Sequence, residues 1–175
     1  MSWLPTFKLG VLNAWIFIIP VLALHFINIR VFRHREAGGQ SRIPDVLFLI
    51  LHILPIFMPL KINKPWFYVG LVFYLVGMTL LSMALYSFAT TPSDKLVTKG
   101  IFKYSRNPMY LGIGILFNGI SMVSISWVYF LLVIFWGVLV HTIQIPIEES
   151  ECIKRFGDEY KEYMKRTLKW LGVSK

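Results

Sequence analysis

The sequence lacks the motifs of several common enzyme classes. It has no HExxH zinc-protease signature, no Walker loop and no Rossmann GxGxxG. Its single cysteine, Cys152, cannot form an internal disulfide, and no other residue marks it as a nucleophile. The histidines are scattered without the close spacing that metal ligands need, so we expect no metal site. These histidines are His25, His34, His52 and His141.

Acidic residues are also scarce, because the chain has nine Asp and Glu against 18 Lys and Arg, a net charge of +9. A basic chain often binds nucleic acid, but here the basic residues occupy short segments between apolar blocks. That placement favours an anionic membrane surface as the partner. We therefore expect a lipid bilayer as a partner, and no nucleic acid.

Long apolar runs are abundant. The 175-residue chain is 56% hydrophobic, above the roughly 45–50% of soluble domains. Apolar spans lie at about residues 11–29, 46–60, 66–89, 109–123 and 126–147. A helix needs roughly 20 apolar residues to cross the hydrocarbon, so the second and fourth spans are marginal. We predict an all-α integral membrane protein with about five transmembrane helices. The last two form a tight helical hairpin, because only residues 124–126 separate them.

The distribution of basic residues predicts the orientation. The segments after the first, third and fifth spans are rich in lysine and arginine, including Arg33 and Arg35, whereas the opposite side has only Lys8, Lys61 and Lys64. The N-terminus is then outside and the C-terminus cytoplasmic, in the cell membrane of a prokaryote or the endoplasmic reticulum of a eukaryote. The first span has no cleavage-site pattern, so we expect a retained anchor in a multi-pass protein.

The C-terminal segment, residues 148–175, combines charge with regularly spaced apolar residues. It contains six of the nine acidic residues, and apolar side chains recur at helical spacing from Ile153 to Met164. Gly157 interrupts this pattern. We predict a cytoplasmic amphipathic helical tail that either lies on the membrane surface or folds over a site.

A polar stripe ends the fifth span. His141, Gln144 and Glu148 stand at i, i+3 and i+7 and share one helical face, although Pro146 is expected to kink the helix. Polar side chains near hydrocarbon are costly and usually face a cavity or a partner. The residues alone leave two interpretations open. One is solvated helix-end glutamates with an interhelical bond from Gln144, and the other is a functional site.

A second polar stretch, KYSRNPMYLG at residues 103–112, comes before the fourth span. Pro108 fits the first turn of a helix, whose free N–H groups attract anions. Arg106 can form a forked bond to a carboxylate or phosphate. The alternative is an interfacial belt of basic and aromatic residues anchored by Tyr104 and Tyr110.

Two motifs on either side of the hairpin, DKLVTKGIFKYSRNPMYLG at residues 94–112 and IPIEESECIKRFGDEYKEYMKRT at residues 145–167, resemble the isoprenylcysteine carboxyl methyltransferase family. That family is grouped with membrane phospholipid methyltransferases. The resemblance implies that S-adenosylmethionine binds at the cytoplasmic membrane face. It also implies methyl transfer to a lipid-tailed acceptor, either a small molecule or a prenylated one.

Together with the polar stretches, the resemblance implies a set of site residues. Catalytic roles fall to Glu148, Gln144 and Arg106, and acceptor contacts to Gln144 and His141. The implied cofactor contacts are Asp94, Lys95, Leu96, Val97, Phe102, Asn107, Pro108, Met109, Tyr110 and Glu148. A single membrane domain, 1–175, then has its first three transmembrane helices in residues 1–90. Residues 91–175 form its cofactor-binding catalytic region with the hairpin and tail.

Three positions depart from the family pattern. Asn107 replaces the usual histidine and cannot titrate, and Phe102 replaces a tyrosine and lacks its hydroxyl. Gln144 replaces an arginine, and a neutral amide holds a substrate carboxylate poorly. This last departure favours an acceptor such as a phospholipid amine, whose proton Glu148 or Glu149 can accept. A non-catalytic membrane protein on the same scaffold is the other alternative.

Overall fold

The computed structural model describes residues 9–32 and 42–172. Lys8, Arg33, His34 and Arg35 lie outside these ranges, as does the side chain of His25. The helices are α1 (Trp15–Phe32), α2 (Arg42–Ile53), α3 (Pro65–Ala89), α4 (Pro108–Ser124), α5 (Trp127–Leu139), α6 (Ile145–Phe156) and α7 (Asp158–Arg166). A π-helical turn, Val140–Gln144, joins α5 to α6. No strand occurs in the described ranges, so the all-helical prediction is confirmed.

Within residues 9–32 and 42–172, two helices are long and apolar enough to cross a membrane. They are α3 and the continuous helical stretch Trp127–Phe156, while Trp15–Leu24 and α4 are apolar but shorter. Many large apolar side chains on the outer faces of α3 and α5 are exposed, among them Val72, Leu75 and Phe135. An apolar exterior of this extent fits contact with lipid. The total of five spans and the orientation of the termini stay predictions.

The tightest contact in the fold joins α3 to α4, and glycines make it possible. Gly77 on α3 faces Gly112 on α4, and Gly70 faces Gly119. A Cβ built on Gly77 would lie 2.5 Å from the backbone nitrogen of Leu116. Small residues let the backbones of membrane helices approach closely. The pairs run in opposite order along the two helices, so α3 and α4 are antiparallel.

The predicted hairpin between the fourth and fifth spans is confirmed as a two-residue turn. Ile125 adopts a left-handed conformation with φ of 50°. Ser126 then starts α5, because its Oγ accepts the backbone N–H of Tyr129 at 3.3 Å. The two helices do not close against each other along their whole length, since α4 packs mainly on α3 and an apolar groove separates part of α4 from α5.

The N-terminal helices brace this bundle through hydrogen bonds and aromatic contacts. The Tyr129 hydroxyl on α5 donates to the Leu51 carbonyl on α2 at 2.7 Å. The Tyr74 hydroxyl on α3 donates to the Phe17 carbonyl on α1 at 2.8 Å. The ring of Phe48 on α2 stacks on that of Trp136 on α5, with centroids 5.7 Å apart. These contacts hold the helix that leads to the polar stripe.

Candidate active site

The structure brings Tyr110, Gln144 and Glu148 into one polar cluster. Glu148 Oε1 accepts a hydrogen bond from the Tyr110 hydroxyl at 2.5 Å and from Gln144 Nε2 at 2.8 Å. Gln144 is only 3% exposed. No described group donates to the second carboxylate oxygen of Glu148. One oxygen is therefore held in place by two neutral donors.

The local backbone explains how these side chains meet. Pro108 occupies the first position of α4, which places Tyr110 in the first turn of that helix. At the other side, Pro146 cannot donate an N–H into the helical ladder, and the turn before it is widened into a π-helix that ends at Gln144. Such π-turns occur frequently at functional sites. The kink expected at Pro146 is thus a widened turn.

The neighbouring Glu149 faces different partners. Its Oε1 lies 3.2 Å from Arg106 Nη2, and its Oε2 lies 3.8 Å from Lys169 Nζ. The Arg106 side chain is 9% exposed and that of Glu149 13%. The Nε of Arg106 is buried without a hydrogen-bond partner among the described residues. Arg106 is therefore paired in charge with Glu149, although Glu149 Oε1 accepts no hydrogen bond from a described group.

The end of the tail folds over this region as a strap, which we define as residues 168–172. The backbone N–H of Arg106 donates to the Leu168 carbonyl at 3.0 Å, and that of Gly172 donates to the Tyr104 carbonyl at 2.8 Å. Asn107 Nδ2 donates to the Lys169 carbonyl at 3.0 Å. The end of the tail thus folds over the stretch 103–112.

The strap also holds His141 at the edge of the cluster. The indole N–H of Trp170 donates to His141 Nδ1 at 3.2 Å, and the two rings stack with centroids 5.7 Å apart. Gln144 instead bonds Glu148. Within the predicted stripe, Gln144 bonds the carboxylate of Glu148, whereas His141 bonds and stacks on the indole of Trp170.

The stretch implied to contact the cofactor lies in the loop between α3 and α4. Val97 and Phe102 are buried together, and Met109 packs against them. Burial raises the pKa of Tyr163 on α7, so its hydroxyl stays protonated and donates to the Phe102 carbonyl at 2.7 Å. Leu96 lines a cavity of about 500 Å³ between this loop and α7.

Two members of that stretch stand apart from the cluster. Asp94 and Lys95 are exposed. Among the described residues, no hydrogen bond or ion pair joins either side chain to Glu148. The structure therefore gathers Tyr110, Gln144 and Glu148 closely, places Arg106 and Asn107 beside them under the strap, and leaves the start of the loop at the surface.

A groove between α4 and α5 leads away from the cluster. It has a volume of about 510 Å³, within the range of roughly 300–1,000 Å³ typical of ligand pockets. Tyr110, His141 and Trp170 line one end, and Asn118 and Val133 lie further along. Since Asn118 follows Tyr110 by eight residues on one helix, the groove extends roughly 12 Å along α4.

Sequence reasoning missed several residues of this region. Trp170 and Lys169 were treated as part of a charged tail, and Asn118 as part of an apolar span. A usable signal existed for Asn118, because a carboxamide in the middle of an apolar helix needs a partner or a cavity. No sequence signal places the strap on Arg106 and Asn107, because its hydrogen bonds to them are made by backbone carbonyls.

Comparison with known proteins identifies a family. A family model described as phospholipid methyltransferase matches residues 66–159. This is more than half of the chain, and it runs from the first turn of α3 into α7. It includes Tyr110, Gln144 and Glu148 but not the strap. No curated protein matches the chain significantly.

Proposed function

Because the chain belongs to the phospholipid methyltransferase family, we propose that it transfers a methyl group from S-adenosylmethionine to a lipid-tailed acceptor at the cytoplasmic face of the membrane. The family implies a membrane methyltransferase, in the same family group as the isoprenylcysteine carboxyl methyltransferases. The single observation that best supports the proposal is the junction of the Glu148 cluster with the apolar groove. Tyr110 belongs to both. A lipid with a polar head and an apolar chain matches this arrangement.

The residues present fit the proposed cofactor. Its amino-acid part has a carboxylate, and the buried unpartnered N–H of Arg106 together with the free N–H groups at the start of α4 suits an anion. When bound, S-adenosylmethionine supplies a methyl group already activated on a sulfonium sulfur. Arg106 and Asn107 would hold it, with the loop residues that lead up to them.

The charges around Glu148 favour an amine or neutral acceptor over a carboxylate. Gln144, which takes the position of the family arginine, is a neutral amide bonded to Glu148. The guanidinium of Arg106 is paired with Glu149. A carboxylate beside Glu148 would therefore lack a neutralising cation and face a like charge in a region of low dielectric. An ammonium group would be stabilised there.

The chain's own residues then have simple tasks in the transfer. The carboxylate of Glu148 orients a lipid ammonium through its unoccupied oxygen and accepts one proton, which frees the nitrogen lone pair. Glu148 would thereby hold a neutral nitrogen toward the methyl group that bound S-adenosylmethionine would supply, with the carbon–sulfur bonding pair left on sulfur. Tyr110 and Gln144 keep the carboxylate in position. Positioning and exclusion of water provide the rest of the catalysis.

The family group also suggests a second class of acceptor, the isoprenylcysteine carboxylate. An isoprenylcysteine carboxylate would need no base, and its prenyl chain also suits an apolar groove. The neutral Gln144 argues against it. A non-catalytic protein on this scaffold is a further alternative, although the ordered Glu148 cluster supports a binding site.

The proposal is tested by radiolabelled methyl transfer with the purified protein in lipid nanodiscs that contain phosphatidylethanolamine. We expect label in the lipid fraction, and a loss of about 10²-fold or more in Glu148→Gln, the range for a general base. Glu151→Gln is the matched control, since Glu151 lies on the same helix and pairs with exposed Lys154. Equal rates for Glu148→Gln and Glu151→Gln would refute the role of Glu148.

A further inference from the structure

Two glycines shape the groove between α4 and α5. Gly114 on α4 and Gly137 on α5 both line it, and a Cβ built on either meets nothing within 4 Å. Glycine costs a helix stability relative to alanine. Gly112 and Gly119 offset that cost by close packing on α3, but Gly114 and Gly137 make no such contact. Their effect is to keep the groove wide.

Asn118 adds a polar group to the same wall. Its Nδ2 donates to the Gly114 carbonyl at 2.8 Å, which fixes the orientation of the amide. Its Oδ1 is buried and accepts no hydrogen bond from any described group. A buried acceptor without a donor is unfavourable, and such groups in native structures call for an explanation. A ligand that supplies a donor at this depth would satisfy it.

We propose that Gly114, Gly137 and Asn118 determine which acceptor chain the groove accepts. The two glycines make room for one apolar chain of the acceptor, and Asn118 favours a chain with a hydrogen-bond donor, such as a hydroxyl or an amide N–H. The donor lies roughly 12 Å from the methyl-accepting head, since eight helical residues separate Asn118 from Tyr110. This inference rests on the proposed function, because it takes the lipid head to lie at the Glu148 cluster.

The inference is tested by photolabelling with two matched single-chain ethanolamine lipids that have a diazirine at the chain end. One has a hydroxyl on the chain about 12 Å from the nitrogen, and the other lacks it. In the native protein we expect the hydroxylated probe to label peptides of α4 and α5 roughly threefold to tenfold more, the value of one net hydrogen bond. Labelling of Val72 and Leu75, exposed on α3, is the internal control and should be equal for both probes.

Two variants separate the effect of the groove's width from the effect of the Asn118 side chain. Gly114→Leu combined with Gly137→Leu should lower groove labelling by both probes to the level of the α3 control. Asn118→Leu should make the two probes equal. Equal labelling by the two probes in the native protein would overturn the inference, because water would then satisfy Asn118. Groove labelling that survives in the double leucine variant would also overturn it.

The readout does not require methyl transfer. Selective labelling in a protein that methylates no acceptor would refute the proposed function and leave the groove assignment standing. Active methyl transfer with equal labelling by both probes would support the proposed function and refute the groove assignment. The two failures are therefore distinguishable.

Discussion

The two faces of α4 use the same residue type for opposite purposes. Toward α3, Gly112 and Gly119 bring two backbones so close that a Cβ on Gly119 would lie 2.5 Å from the nitrogen of Tyr74. Toward α5, Gly114 borders open space. A glycine in an apolar helix therefore indicates a packing contact only when its partner is known. In this chain the closed face builds the scaffold, and the open face leads to Glu148.

The largest effect is expected on the closed face. Gly77→Leu would drive a side chain into the backbone of α4, and we expect a loss of at least about 3 kcal/mol in the free energy of unfolding, the upper range for overpacking. The measurement is unfolding in mixed detergent micelles. Gly114→Leu is the matched control on the open face and should retain near-native stability. Similar losses in both variants would remove the distinction between the faces.

An intermediate effect is expected where the strap and Glu149 meet the start of α4. Among the described residues, Arg106→Ala would leave the mostly buried Glu149 with only the more distant Lys169 as a partner. We expect a loss of about 2 kcal/mol in the free energy of unfolding, below the cost of a fully buried unpaired charge. The exposed pair of Lys154 and Glu151 gives the comparison, since Lys154→Ala should cost less than about 0.5 kcal/mol. The measurement is the shift in the melting temperature of each variant. Equal shifts for Arg106→Ala and Lys154→Ala would show that the pair of Arg106 and Glu149 does not stabilise this region.

The smallest effect has opposite signs on the two faces. Gly114→Ala removes a glycine from a helix without meeting any atom, so we expect a gain of up to about 1 kcal/mol in stability. Gly112→Ala places a Cβ 2.9 Å from the backbone nitrogen of Leu81 and should destabilise. Denaturant titrations of the two single variants check the signs. A gain in both, or a loss in both, contradicts the account.

Sequence reasoning predicted the local features well. The helical hairpin and the break at Gly157 between α6 and α7 both follow from residue-level rules. These features depend on residues close together in the chain. Small residues in an apolar helix, here Gly112 and Gly114, are expected to serve helix packing. This is confirmed for Gly112 and wrong for Gly114.

The long-range contacts were beyond such rules. Nothing in the residues from 90 to 107 shows that α3 is the main partner of α4, because the pairing depends on glycines 35 and 49 positions apart in antiparallel order. The strap reaches Arg106 and Asn107 through its own backbone carbonyls, which every residue has. The contact of Tyr110 with Glu148 also joins residues 38 positions apart. Only the family resemblance had placed those two in one site.

The most direct test of the central claim is a competition between two acceptors, phosphatidylethanolamine and a farnesylcysteine analogue, with labelled S-adenosylmethionine. The account predicts that the native protein methylates the amine lipid in preference to the carboxylate. It also predicts that Gln144→Arg, which restores a cation beside Glu148, shifts the preference toward farnesylcysteine. Efficient methylation of farnesylcysteine by the native protein would contradict the account and assign the chain to the carboxyl methyltransferases.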